Sequence, residues 1–431
     1  MKKNTYRILT EKLKISPVVL DIVDKAESAL KERFYEIDDI KEYNQYKVLE
    51  AFRECRISDT HFGWNTGYGY DDAGRAALEK VYSTYFNTED SVVRPIIVSG
   101  THALTLTLSG ILRPGDELVY CTGAPYDTLE GVIGIHKGGN GCLRDFGISY
   151  AQVDLLPDGN IDLDGVKNII NDKTKMMCIQ RSTGYAWRRA VSVNEIEEWV
   201  NTVKSVNPNI ICMVDNCYGE FLDLREPTDV GVDIMAGSLI KNPGGGLALS
   251  GGYIVGRADL VEQISYRMTS PGIGKECGLT FGQTRSMLQG FFLGPNVVSG
   301  AVKGAVLCAK VFEDLGYEVC PTSSSERNDI IEAVKLGSPE AVVEFCRGIQ
   351  SAAPVDSFVT PEPWDMPGYD DKVVMAAGAF VQGSSIELSA DAPIRDPYIV
   401  YFQGGLTYEH SKLGVIKAVQ ALYDAGLLKN I

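Results

Sequence analysis

Histidine is scarce in this chain: four among 431 residues, at 61, 102, 136 and 410, too scattered to assemble a zinc site by spacing. Ten cysteines form no C-x-x-C pair, which removes the dithiol-redox and zinc-ribbon readings. Several, such as Cys178 and Cys212, sit in apolar runs and read as small buried hydrophobes in a reducing compartment. Basic charge is in deficit, 41 Lys plus Arg against 57 Asp plus Glu, a net charge of −16. That balance argues against a nucleic-acid surface and against a basic membrane-surface protein. The apolar stretches are short and broken by glycine, so none is expected to span a bilayer. The opening M-K-K-N-T-Y-R lacks the apolar core of a signal peptide. The expectation is therefore a cytoplasmic protein that binds neither nucleic acid nor membrane. Motifs are missing too. No G-x-x-x-x-G-K-[ST] occurs, and the glycines of 272–278 miss the G-x-G-x-x-G spacing. Ser238-Leu-Ile-Lys241 matches S-x-x-K, but the S-D-N and K-T-G companions of the penicillin-binding acyl enzymes are absent.

What remains is an ordinary globular composition, 45% hydrophobic and 23% charged, in a chain long enough for two domains. Short apolar runs at 94–99, 116–120, 175–180, 210–215 and 251–256 read as strands covered on both faces. Helix-like segments lie between them. The clearest follows Ser192, where Glu195 completes a capping box and Ile196, Val200 and Val203 share one face. This alternation predicts an α/β fold with a mostly parallel sheet flanked by helices. Residues 1–60 read as a helical arm and 61–290 as the large domain. Residues 291–431, with strand-like runs at 376–383 and 397–404 and a C-terminal amphipathic helix, read as a smaller α+β domain.

Four segments end strand-like runs with residues that can do chemistry. Lys241, in G-S-L-I-K-N-P-G-G-G, sits in an apolar setting that would lower its pKa for Schiff-base formation, with glycines that let the backbone approach a flat ligand. A solvated surface lysine reads the same way. Asp215, closing I-I-C-M-V-D, could pair with a cationic ring nitrogen or merely cap a helix with Asn216. Ser99-Gly100-Thr101 could cradle an anion at a helix N-terminus, or be an unremarkable strand–helix turn. Tyr126 could stack on an aromatic cofactor or pack on the core.

The order of these segments, with G-Y-G-Y-D-D-A-G-R (67–75), Q-R-S-T-G-Y-A-W-R (180–188), V-D-N-C-Y-G-E-F (214–221) and A-P-I-R-D-P-Y (392–398), resembles the pyridoxal-phosphate fold-type-I enzymes of Cys/Met metabolism. This is the cystathionine β-lyase and methionine γ-lyase group, and the resemblance is closest to its aluminium-resistance, methionine-γ-lyase-related branch. It implies pyridoxal 5'-phosphate as cofactor, with Lys241 as its covalent anchor and Asp215 on the pyridine nitrogen. Ser99, Gly100, Thr101 and Ser238 would hold the phosphate, and Tyr126 would stack on the ring. Tyr70 would reach the phosphate of a neighbouring subunit, so the resemblance implies a homodimer and usually a dimer of dimers. The chain departs from the pattern at Ile240, where relatives carry Thr, and at Asp72, where they carry an Arg; Arg75, one helical turn on, is the expected substitute. Arg395 and Arg181 compete to bind the substrate carboxylate.

The resemblance implies a carbon–sulfur lyase: Lys241 takes the Cα proton, and Tyr126 protonates the departing sulfur. Products would be a 2-oxo acid, ammonia and a thiol. An aminotransferase on the same fold is the alternative enzyme. A non-enzymatic metal-tolerance protein, binding cations through its acidic surface, is the alternative outside catalysis.

Overall fold

The computed structural model describes residues 2–135, 140–366 and 371–430; His136 lies outside them. The chain divides into two compact units, one of residues 43–184 and 190–294, the other of 1–42, 185–189 and 295–431.

The first unit is built on seven strands: β1 (Asp90–Arg94), β2 (Glu117–Tyr120), β3 (Ser149–Gln152), β4 (Thr174–Gln180), β5 (Ile211–Asp215), β6 (Ile234–Ser238) and β7 (Gly252–Gly256). Their order in the sheet is β1-β7-β6-β5-β4-β2-β3. Strands β2 to β6 pair in parallel, while β7 runs antiparallel to both β6 and β1. Every residue of β5, β6 and β7 is buried, as expected of strands covered by helices on both faces. Leu104 and Leu108 of the helix Gly100–Ile111 join Met176, Met213, Ile254 and Ile264 in one apolar core. Each such side chain stabilises the fold by roughly 1.5–3 kcal/mol relative to exposure. Because β4, β5 and β6 are parallel, Gln180, Asp215 and Ser238 leave the sheet along the same carboxyl edge, where open α/β sheets place their ligands.

Two of the expected strands move. The run at 94–99 is not a strand: β1 ends at Arg94, Pro95 has no N–H to continue a ladder, and the Ile97 amide turns back to the Arg94 carbonyl at 3.3 Å. The capping box on Ser192 and Glu195 is present, and it starts the helix Val193–Val206 with Ile196, Val200 and Val203 buried.

The second unit carries five strands: β8 (Glu318–Cys320), β9 (Ile331–Lys335), β10 (Val373–Ala376), β11 (Ser389–Pro393) and β12 (Ile399–Gln403). They pair antiparallel throughout, in the order β10-β11-β12-β9-β8. The helices Pro339–Ala352 and Tyr408–Asp424 pack on one another, the first of them also against β10, β11 and β12. The helix Pro17–Ala29 joins this unit: Ser16 donates its amide to Gln420 at 2.7 Å, and Glu27 accepts from Tyr408 at 2.6 Å. The strand expected at 376–383 ends as β10 at Ala376. Beyond it the Ala377 amide is taken by the Gln350 side chain, and those of Phe380 and Val381 by the Glu387 carboxylate, so side chains replace a strand partner.

Among the described residues one helix, Thr284–Asp314, is long and apolar enough to cross a membrane, with a mean hydropathy of 1.4 over its most apolar stretch. The sequence reading of short, broken apolar runs missed it. Of that stretch 78% is buried within the protein, as in a core helix.

Candidate active site

Lys241 lies three residues beyond β6, on a turn drawn tight by the Gly244 amide donating to the Lys241 carbonyl at 3.2 Å. The glycines that follow allow close backbone packing. A Cβ on Gly244 would fall 1.7 Å from the Leu239 carbonyl oxygen, and one on Gly290 would fall 2.0 Å from the Gly244 oxygen. Gly245 has a left-handed φ of 52° and would meet the Gly290 carbonyl at 2.3 Å. Gly245 and Gly290 thus let the lysine turn press against a helix.

The lysine's electrostatics also reverse the expectation. Burial pushes its pKa down, but the Cys217 thiol, the Tyr218 phenol and the carboxyls of Asp215 and Glu220 push it up further. The net direction is upward, and Lys241 is held as an ammonium, its Nζ 3.9 Å from the centre of the Tyr218 ring.

Asp215 ends β5 and is buried. No helix follows it, which removes the capping role; its Oδ1 instead accepts the Cys217 amide at 3.1 Å. The turn it opens is strained, with left-handed φ values of 70° at Tyr218 and 67° at Phe221. A buried network clamps that turn. Arg181 donates to the Asn216 side chain at 2.9 Å and to the Gly219 carbonyl at 2.7 Å. Glu226, 3.9 Å from Arg181, accepts from the Phe221 amide at 3.0 Å.

Ser99 caps the helix Gly100–Ile111, its hydroxyl accepting from the His102 amide at 3.1 Å. The amides of Gly100 and Thr101, in the first turn, have no intrahelical acceptor. A Cβ on Gly100 would lie 3.3 Å from the Cβ of Ser238 and 3.4 Å from the Cys217 Sγ, so this helix start abuts the ends of β5 and β6. Thr101 Oγ1 shares a hydrogen bond with Thr128 Oγ1 at 2.8 Å, which ties the cradle to the helix Asp127–Ile133 that Tyr126 precedes. Half-buried Tyr126 packs beside Gly184, at 3.5 Å from where a Cβ would stand.

This donor set fits pyridoxal phosphate: free helix-start amides with Ser238 for a phosphate, a carboxyl for a cationic ring nitrogen, an amine for an aldehyde, and a close approach at Gly100, where a Cβ would crowd Ser238 and Cys217. Lys241, Asp215, Gly100 and Ser238 come together, with Thr101 and Tyr126 joined to them through Thr128.

The arginines have partners of their own. Arg181 is fully buried and engaged by the chain. Arg75 is buried, donating to the carbonyls of Gly69 at 2.6 Å, Gly278 at 2.8 Å and Glu276 at 2.9 Å, so it shapes the loop that carries Tyr70. Tyr70 itself is 57% exposed and stacks on Tyr68, with ring centres 5.3 Å apart. Arg395 belongs to the smaller unit, with an exposed side chain 3.3 Å from Asp371. Cys217, Tyr218 and Glu220 were not singled out from the sequence. They stand in the V-D-N-C-Y-G-E-F string, but their approach to Lys241 depends on left-handed backbone at two residues that are not glycine. Among the described residues no group of three or more His, Cys, Asp or Glu is placed to hold a metal ion.

The methionine gamma-lyase family profile matches residues 19–423. The uncharacterized protein YnbB of Bacillus subtilis is 53% identical over 394 residues, covering 91% of this chain and 94% of that protein. The crystal structure of a carbon-sulfur lyase involved in aluminum resistance from Clostridium novyi superposes with a TM-score of 0.94 at 51% identity, over 97% of this chain and 99% of that one. For fold alone, the pyridoxal-5'-phosphate dependent protein YhfS of Escherichia coli covers 90% of this chain and 97% of its own, with a TM-score of 0.61 at 15% identity. With its seven-stranded mixed sheet and separate antiparallel sheet, the chain is a lyase of the methionine gamma-lyase family, built on the pyridoxal-phosphate fold-type-I architecture.

Proposed function

We propose that this enzyme is a pyridoxal-phosphate-dependent carbon–sulfur lyase acting on a sulfur-containing amino acid, releasing a 2-oxo acid, ammonia and a thiol. The observation that carries the reading is the approach of Gly100 to Ser238, so near that a Cβ on Gly100 would lie 3.3 Å from the Ser238 Cβ, beside the exits of β5 and β6 that lead to Asp215 and Lys241. Bound there, pyridoxal phosphate supplies an electron sink for negative charge at the substrate Cα. The amides of Gly100 and Thr101, with the hydroxyl of Ser238, hold its phosphate. Asp215 keeps a proton on the ring nitrogen, and Cys217 fixes that carboxyl through its own amide. As a neutral amine Lys241 would take the Cα proton on Nζ, and the Tyr218 ring would seat the resulting ammonium. Tyr126 donates a proton to the departing sulfur.

Exposed Tyr70 and Tyr68, on a loop braced by Arg75, suit a surface offered to a second copy of the chain, as a homo-oligomer sharing its sites would need. The ten free cysteines suit a reducing, cytoplasmic setting.

Incubation with cystathionine, cysteine and methionine should yield a 2-oxo acid and ammonia from at least one. Lys241→Ala should abolish both the products and the visible absorption of the bound cofactor. A wild-type protein without that absorption, or a variant that keeps turnover, would overturn the reading.

A further inference from the structure

Between β4 and the helix Val193–Val206 the chain makes a closed loop. Its base is tied twice: the Val191 amide donates to the Arg181 carbonyl at 2.9 Å, and Arg181 Nε donates to the Val191 carbonyl at 3.3 Å. The Arg181 amide donates to the Asp215 carbonyl at 3.1 Å, so the base stands beside the residue proposed for the ring nitrogen. Further along the loop, Gly184 has a left-handed φ of 57°, and a Cβ on it would lie 3.5 Å from Cδ2 and 3.9 Å from Cε2 of Tyr126. The bare backbone of Gly184 thus lies along one edge of the Tyr126 ring.

One residue on, the chain enters the other compact unit, to which residues 185–189 belong. Tyr185 is gripped there in three ways. The Tyr401 hydroxyl of β12 donates to its carbonyl at 2.6 Å, and the two ring centres are 5.2 Å apart. Its own hydroxyl donates to the Asp391 carboxyl of β11. Asp391 and Tyr401 are register partners, so both anchors rise from one face of the sheet. The next residues, Ala186 and Trp187, are exposed. A loop so open to solvent can leave its polar groups to water, and ordering it costs entropy; a grip on backbone, ring and hydroxyl together exceeds what connecting two elements requires.

We infer that Tyr185 is a positioning residue: anchored on β11 and β12, it holds Gly184 against the Tyr126 ring and so fixes the angle at which Tyr126 meets the cofactor and the departing sulfur. The inference rests on the role proposed for Tyr126, and it reaches that residue through the one peptide bond that joins Gly184 to Tyr185. A group that must both stack and deliver a proton tolerates little freedom, since a misplacement of about 1 Å can cost about a hundredfold in rate.

The test compares the full-length holoenzyme as wild type, Tyr401→Phe, Tyr126→Leu and the double variant. Tyr401→Phe removes the bond to the Tyr185 carbonyl and keeps every ring. The visible circular dichroism of the bound cofactor should lose intensity in it, because the ring stacked there is freer to turn. With a substrate that the wild type cleaves, kcat should fall about tenfold and KM should hardly move. In the Tyr126→Leu background the same substitution should change dichroism and kcat by less than about twofold, since the ring it acts through is gone. In the cofactor-free chain, trypsin should cut after Arg188 and Arg189 faster in Tyr401→Phe than in wild type. Should Tyr401→Phe fail to fold, Tyr185→Phe, which loses only the bond to Asp391, carries the same comparison. Equal losses in both backgrounds, or a loop that trypsin finds loosened while dichroism and kcat stay unchanged, would overturn the inference and leave the lyase reading intact. So would a variant unchanged in all three measurements. A wild-type protein with no cofactor absorption would overturn that reading instead, and with it the role given to Tyr126.

Discussion

The guanidinium of Arg181 lies so close to the turn after β5 that a Cβ on Gly219 would fall 2.5 Å from its NH1 and 2.6 Å from its Cδ. With Asn216, Gly219 and Glu226 as partners, it holds in place the strained backbone that sets Tyr218 under the lysine. Removing one member of a buried charged network leaves the others uncompensated, typically at a cost of about 3–5 kcal/mol. Arg181→Ala should accordingly lower the urea midpoint and weaken cofactor retention together. A variant of unchanged stability, with only KM raised, would instead make Arg181 the residue that meets substrate. From sequence the two roles were indistinguishable, since an arginine near a strand exit suits either. Its burial and its partners support the bracing role.

At the scale of elements, two glycine contacts seat the lysine turn on the helix Thr284–Asp314. Gly290 and Gly245 leave no room for a Cβ on either side, and the obstructing atoms are backbone, which cannot swing away. Gly290→Ala should force the turn outward and destabilise the protein by about 1–3 kcal/mol, as overpacked sites do, with a parallel loss of cofactor affinity. Thermal unfolding and cofactor titration would check it; a variant with both unchanged would show that the helix yields easily. The sequence showed glycines able to let the backbone come close; the helix backbone as one such neighbour was not legible there. Local sequence shows that the backbone can come close to something, not to what. The capping box at Ser192 was legible for the opposite reason, because both partners lie within four residues.

For the molecule as a whole, the net charge of −16 and a set of buried carboxyls bear on pH. Asp391, enclosed in the antiparallel sheet with Gln403 as a hydrogen-bond donor at 3.2 Å, is pushed by burial to about 7, against the pull of Tyr185. Glu220 is pushed to about 8. Both bind a proton more tightly folded than unfolded. Their contribution is therefore complete below the ordinary carboxylate range and is lost as pH rises through about 7 and about 8. The urea midpoint should fall between about pH 5 and about pH 8, and Asp391→Asn should flatten part of that slope. A slope identical in the variant would remove Asp391 from the account.

The sequence by itself determined the class of fold and nominated residues for the candidate cofactor site. Hydrophobic periodicity is a local property, and Lys241, Asp215, Gly100 and Ser238 each sit at the end of a readable run. Only the tertiary structure decided what those residues meet. It set the charge of Lys241 through Cys217, Tyr218, Asp215 and Glu220, turned Arg181 and Arg75 inward to brace loops, and ended a strand at Arg94. The reason is physical: pKa, burial and close approach are sums over neighbours distant in sequence, and no window along the chain contains them.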